Sequence, residues 1–427
     1  MVAILIISFF LLLVIGVPVA FSLAVSAWLA VVLGSNYPQL VVVKEMFSGL
    51  DSFPLMAVPF FILAAELMTG GALTHVLLRF ASQFVGHLRG GLGYANVLSS
   101  TMFAGISGSA LADAAGPGQM MVRMMEKGGY DRAYAGALTA SAAVIGPIIP
   151  PSIIMILYAM QDDRVSVGQL FMAGIIPGLI IGGAMAATNW YVSRKRGYRG
   201  SEARPPAREM LRNTVHAIPA LMLLVIIIGG IRSGVFTPTE ASVVAVFYAL
   251  ICGMAIYRTL KLGDLPGIIL RAALVSTAVL LILGAARAFA WILIIEGVPQ
   301  MLAGTIAGWN LSPIVFLLSI NVLLLVFGLF MDPLPGVMIL VPILAPIAFA
   351  LGIDPIHFAI VVIVNLTIGL ITPPVGSLLF VVSSVVKLKV TQLTREMPPF
   401  FLAHILVLLL LTFVPALSTW LPRASGF

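Results

Sequence analysis

Between Val2 and Leu33 the chain carries no charged side chain, and apolar runs of similar character recur to its C-terminus. A helix needs roughly 20 such residues to cross about 30 Å of hydrocarbon, so runs of this kind read as membrane spans. Composition agrees: of 427 residues, 61% are hydrophobic and 9% charged. That leaves too little polar surface to cover a water-soluble globule and no room for a soluble domain. The first run has no basic residue before it and no small-residue cleavage site, and it is too long for the core of a signal peptide, so it is expected to stay. Cys252 lies alone inside an apolar run and reads as a small core residue.

Full crossings are expected near residues 2–33, 54–69, 72–88, 131–161, 168–194, 214–232, 238–257, 267–296, 355–386 and 397–421. Two further apolar stretches, 90–126 and 311–351, are interrupted by loop-forming residues. The breaks are Ala104-Gly105-Ile106-Ser107-Gly108-Ser109 and Met331-Asp332-Pro333-Leu334-Pro335-Gly336, where Pro and Gly oppose a continuing helix. Exposed to lipid, such loops would leave backbone groups unpaired; they survive at membrane depth only inside protein or beside water. Both stretches are therefore read as re-entrant hairpins. The basic block Arg194, Lys195, Arg196, Arg199, Arg204, Arg208 and Arg212 marks a cytoplasmic loop and sets the N-terminus outside. The net charge of +7 thus reports orientation in the bilayer, with no nucleic-acid partner implied.

The chain also repeats itself. A shift of 223 residues superposes Gly105 on Gly328, Gly129 on Gly352, Asp131 on Asp354, Gly146 on Gly369 and Pro150-Pro151 on Pro373-Pro374, without a gap. The matches fall on residues that dictate backbone shape, which points to a duplicated unit. An odd number of crossings separates the two hairpins, so the repeats are inverted, the first entering from the cytoplasm and the second from outside. The expected fold is an all-α integral membrane protein: about ten transmembrane helices plus two re-entrant helical hairpins in inverted-topology repeats. It divides into N-terminal scaffold helices (1–89), a first transport repeat (90–161), connecting scaffold helices (162–310) with the basic loop 194–212, a second transport repeat (311–386) and a C-terminal helix (387–427). Inverted repeats with broken helices are the architecture of many secondary transporters, whose site lies where the repeats meet.

Each repeat joins a hairpin tip to a broken crossing helix, at Pro150 and Pro151 in the first and at Pro373 and Pro374 in the second. Two consecutive prolines remove two backbone donors and free carbonyl oxygens that suit a hard cation. Ser107 and Ser109 in one repeat, with Asp332 and Thr372 in the other, add side-chain oxygens, so one sodium site per repeat is expected. Half-helix N-termini at the midplane suit an anionic carboxylate, which makes an organic acid the natural substrate class. Asp113 and Arg287 are candidates at the substrate. Asp113 either caps backbone amides or helps hold the ion; Arg287 either grips a carboxylate or pairs with Glu296 or a neighbouring helix. Glu66 and Glu240 read as structural.

The run Phe103-Ala104-Gly105-Ile106-Ser107-Gly108-Ser109-Ala110-Leu111-Ala112-Asp113, with Gly129-Tyr130-Asp131 and Gly146-Pro147-Ile148-Ile149-Pro150-Pro151-Ser152, resembles the large membrane subunit of tripartite ATP-independent periplasmic (TRAP) transporters. The likeness extends over essentially the whole chain. It implies work with a separate small four-helix membrane subunit and a periplasmic substrate-binding protein. It implies sodium-driven import of a carboxylate, such as a C4-dicarboxylate or sialic acid, across the bacterial inner membrane by an elevator-type movement. The family's sodium-site pattern carries onto Gly105, Ser107, Ser109 and Gly146, and onto Gly328, Asp332, Gly369 and Thr372.

Rival classes find less support. No Gly-Lys dipeptide occurs, so no P-loop can be written. None of the five histidines precedes a Glu, which excludes the HExxH signature, and no enzyme is expected. A stand-alone sodium-coupled carboxylate carrier of related hairpin fold is the alternative.

Overall fold

The computed structural model describes residues 1–69, 73–200, 204–308, 311–373 and 376–426. Among these the regular structure is entirely helical. Pro374 of the second double-proline site lies outside the described residues, as do residue 72 and residues 201–203 of the basic loop. Among the described residues, six helices are long and apolar enough to cross a bilayer, or up to nine if each sharply bent pair counts as one span.

The N-terminal run departs from expectation. Instead of one crossing it forms α1 (Val2–Val14) and α2 (Val19–Gly34), separated by Gly16 at φ +90° and by Pro18. A Cβ on Gly34 would lie 3.2 Å from Met1 Cα, so the end of α2 returns to the start of α1 and the pair is antiparallel. A single helix of this length would be about 48 Å long, far more than about 30 Å of hydrocarbon requires. An unexpected helix α3 (Leu40–Leu50) follows, then a 67° bend into α4 (Ala57–Thr69).

The crossing expected at 72–88 is also absent. α5 (Leu73–Val85) packs beside the first turns of α12 (Ala207–Arg232). His75 and Arg79 share a cavity with Asn213 and His216, Gln83 bonds Thr214, and Gly200 abuts His87. His75, Arg79 and Gln83 recur at four-residue spacing, so one face of α5 is polar.

The first repeat comprises α6 (Gly91–Ser107), the short α7 (Ala110–Asp113), a π-turn through Pro117, α8 (Gln119–Lys127), α9 (Arg132–Ala143) and α10 (Ile153–Gln161). Next come α11 (Val167–Arg196), α12, α13 (Pro238–Ile251), α14 (Leu265–Ile295) and α15 (Val298–Gly308). The second repeat is α16 (Pro313–Phe330), α17 (Pro333–Ala350), α18 (Pro355–Gly369) and α19 (Ser377–Val386). A 114° turn leads from α19 into α20 (Val390–Glu396), and α21 (Pro398–Phe413) bends by 61° into α22 (Ala416–Ala424). The basic block is shorter as a loop than expected, since 194–196 finish α11 and 207–212 begin α12.

Contacts along the helices establish both hairpins. In the second repeat Phe316 stacks on Phe358, Asn321 bonds Asn365 at 3.0 Å, and Gly328 meets Gly369, so α16 runs parallel to α18. α17 reaches α18 through a short turn at Gly352, φ +78°, and must run antiparallel to both. In the first repeat Leu92 faces Gly128, Asn96 bonds Thr139 at 2.7 Å and Gly108 meets Pro151, which gives the same arrangement. The hairpins open on opposite faces. Gly90 at the base of α6 bonds Tyr198 just past the basic end of α11, whereas the base of the second hairpin lies at the opposite end of α11. Arg164, in the turn between α10 and α11, lies over the Phe349 ring at the end of α17, which places both on that far face.

The duplication has a local physical meaning. Asp131 and Asp354 cap α9 and α18, accepting from Tyr134 N at 2.9 Å and Ile356 N at 2.9 Å. Ser109 and Asp332, also equivalent by the shift, cap the returning half-helices. Such caps satisfy amides that a helix start leaves open. Charged groups expected to be structural are paired: Glu66 with Arg271 at 3.1 Å, and Glu240 in a capping box with Thr237.

Candidate functional site

The helix breaks are narrower than the sequence suggested. In the first hairpin Ala104 to Ser107 remain helical, and only Gly108, at φ +60°, and Ser109 leave the helix. In the second, Met331 and Asp332 form the whole break. Pro333 and Pro335 sit in the first turn of α17, where a missing N–H removes no helical bond, so these prolines start the helix rather than interrupt it.

The first tip closes onto the broken crossing. Ser107 Oγ donates to Asp113 Oδ1 at 2.5 Å, and Ser109 N donates to Ser107 Oγ at 3.2 Å. Asp113 is 3% exposed, and its Oδ2 has no hydrogen-bond partner among the described residues. That oxygen is aimed at Gly146, where a Cβ would lie 2.8 Å from it. The side chain of Asp113 makes no cap. A buried carboxylate with a free lone-pair face is costly unless a cation or proton completes it.

Across from it, α9 and α10 are separated by residues 144–152, with a cis peptide between Pro150 and Pro151. Gly146, Ile149, Pro150 and Pro151 offer carbonyls that accept no backbone hydrogen bond among the described residues. Pro147 O is taken by Ser152 Oγ at 2.5 Å. Gly108 packs directly on Pro151. The Asp113 carboxylate and the Ser107 hydroxyl thus meet beside Gly146, with Gly108 against Pro151 next to them. Gly105 is different: a Cβ there would lie 3.2 Å from Leu224 of α12, so its open face serves helix packing.

In the second repeat the contact is backbone on backbone. A Cβ on Gly369 would stand 2.6 Å from Gly328 Cα. Asp332 accepts from Leu334 N at 3.1 Å, and Thr372 Oγ1 donates to Ile368 O at 2.8 Å, which leaves lone pairs on both side chains. α18 ends at Gly369 and α19 begins at Ser377, so the helix is broken at Pro373 as expected.

The two repeats interlock. α10 of the first packs on α17 of the second, and α19 of the second packs on α7, the π-turn and α8 of the first. Gln119 Nε2 reaches Val385 O at 3.3 Å across that seam. Beside α10 and α17 opens a cavity of about 420 Å³, walled on the other side by α3 and α14. Arg287 lines it, with Gln161, Asp163, Ser48, Ser52 and Ser166. Arg287 forms no ion pair among the described residues, and Glu296 instead meets the N-terminal amine at 3.5 Å. Of its two sequence readings, pairing with Glu296 is thus removed.

The expected residues accordingly fall into three groups. Ser107, Ser109, Gly146 and Asp113 gather at one tip; at the other Gly328 meets Gly369, with Asp332 and Thr372 close by in the chain; and Arg287 stands apart at the cavity. The sequence did not reveal the cavity's polar wall; its only trace was the cluster of Ser, Gln and Asp at the ends of apolar runs.

Two mirror-related hairpins, each closed on a broken helix and interlocked with the other, define a multi-pass membrane transport protein. A family model described as tripartite ATP-independent periplasmic transporter, DctM component, matches residues 6–417. The chain belongs to that family, and with it to the inner membrane of bacteria. It is 40% identical over 408 residues to the sialic acid TRAP transporter large permease protein SiaM of Vibrio cholerae, covering 96% of this chain and 95% of that one. It is 37% identical over 424 residues to the C4-dicarboxylate TRAP transporter large permease protein DctM of Rhodobacter capsulatus, covering 96% of each. In fold it is similar to the YdaH transporter of Alcanivorax borkumensis, at TM-score 0.58 and 18% identity, over 87% of this chain and 86% of that chain.

Proposed function

We propose that this permease couples inward movement of sodium to import of an organic acid, delivered by a periplasmic binding protein and carried alongside a small four-helix membrane subunit. Sodium is cargo here. One ion is held at each tip, by Ser107, Ser109, Asp113 and the Gly146 carbonyl, and by Asp332, Thr372 and the Gly328 and Gly369 backbone. The observation that carries this reading is the open Asp113 Oδ2 between a hairpin tip and the freed carbonyls of 146–151. A hard cation takes oxygen ligands of this kind and offsets the buried charge.

Arg287, with an unpaired fork of donors in the 420 Å³ cavity, takes the substrate carboxylate. Sialic acid and C4-dicarboxylates, the substrates in the relatives' names, both carry that group. The cavity lies between α3 and α14 on one side and the interlocked repeats on the other, which supports an elevator-type displacement of the repeats past a scaffold. The substrate crosses chemically unchanged, so no catalytic residues are assigned.

Uptake by proteoliposomes tests this, with and without a sodium gradient and with and without the binding protein. Accumulation should need both. Full-rate uptake of free substrate would support a stand-alone carrier instead, and sodium-independent equilibration would overturn coupling.

A further inference from the structure

On the cytoplasmic side, α5 lies across the first turns of α12 and encloses a cavity of about 380 Å³. His75, Arg79, Asn213 and His216 line it, and no acidic side chain does. An adjoining space of about 290 Å³ continues past Ser82 and Gln83 to Glu209. Ser82 and Gln83 are 6% and 3% exposed, and Ser82 Oγ and Gln83 Oε1 have no hydrogen-bond partner among the described residues. Gln83 itself is fixed, because its Nε2 donates to Thr214 Oγ1 at 3.1 Å. Of these two, the Ser82 hydroxyl is the one that can donate to an anionic occupant.

His216 also belongs to a third space, a groove of about 830 Å³ along α12. Arg208, Glu209 and Arg212 stand at its head, and Leu211, Val215, Pro219 and Ile256 form its floor. A pocket lined by His75, Arg79 and His216 therefore adjoins, across His216, a groove with an apolar floor on the first turns of α12. A soluble anion would use the pocket and leave the groove unexplained. A phosphate ester carrying acyl chains uses both, and basic pockets between helices at the cytoplasmic boundary suit anionic headgroups.

We propose that the pocket between α5 and α12 binds an anionic phospholipid, its phosphate against Arg79, His75 and His216 and an acyl chain along Val215 and Pro219. α5 joins α4 to the first hairpin, so an occupied site holds the segment linking the N-terminal helices to the moving repeat.

The test is native mass spectrometry of the full chain purified in detergent and titrated with phosphatidylglycerol or phosphatidylcholine. Phosphatidylglycerol should be retained about tenfold more strongly, and Arg79→Ala with His216→Ala should remove most of that difference. Should that pair fail to fold, Arg79→Gln with Ser82→Ala reads the same loss with less change in volume. Equal retention of the two lipids, or unchanged phosphatidylglycerol binding in a folded variant, overturns the proposal. Displacement of the lipid by equimolar inorganic phosphate also overturns it, in favour of a soluble anion.

Discussion

Gly369→Ala tests the second tip most directly. The added methyl would lie 2.6 Å from Gly328 Cα and 2.7 Å from both Gly328 C and O. Non-bonded carbons rest about 3.5–4.0 Å apart, and the obstructing atoms are backbone, which cannot rotate aside. The hairpin must therefore move from α18 by about 1 Å, a displacement that an oxygen cage for a small cation does not tolerate. Overpacking of this kind costs about 1–3 kcal/mol. Drawn from the ion-bound state, that raises half-saturating sodium about 5- to 150-fold. Sodium titration of uptake in proteoliposomes reads the effect. Gly183→Ala, where a Cβ meets nothing within 4 Å, is the neutral control. Wild-type sodium dependence in folded Gly369→Ala would refute the view that this glycine contact shapes an ion site.

Asp113→Asn keeps the bond from Ser107 but removes the charge, and half-saturating sodium should rise about tenfold or more by the same titration. Asp332→Ala should act in the same direction at the other tip; unchanged dependence with normal expression would remove it from the site. Arg287→Ala should lower uptake at limiting substrate about tenfold or more without altering ions moved per substrate, measured by paired isotope fluxes, while Arg287→Lys should recover part of the loss. Asn189 is fully buried and holds Tyr134 Oη at 2.9 Å, Gly90 O at 3.1 Å and Ser193 Oγ at 3.2 Å. Asn189→Ala should destabilise by about 2–4 kcal/mol, as several groups lose partners together, and an unchanged melting midpoint would contradict that.

Features set by local backbone chemistry were legible in the sequence. Glycines at the tips, prolines at the helix breaks and aspartates before helices each act within a few residues, and the 223-residue shift exposed them twice. The N-terminal hairpin carried a readable signal in Gly16 and Pro18, together with a run too long for one crossing. α5 was misread because its mean apolarity hid a four-residue polar spacing. What lay beyond reach depended on distant chain segments: the pairing of Glu66 with Arg271, the Asn189 network, and the wall opposite Arg287, drawn from α10, the turn into α11 and α17. Periodicity in one segment says nothing of which segment will face it.

The crossed embrace of α10 with α17 and of α19 with the returning arm of the first hairpin makes the duplicated halves mechanically one body. Neither hairpin tip can shift far while its twin stays behind, so a displacement begun in one half is imposed on the other.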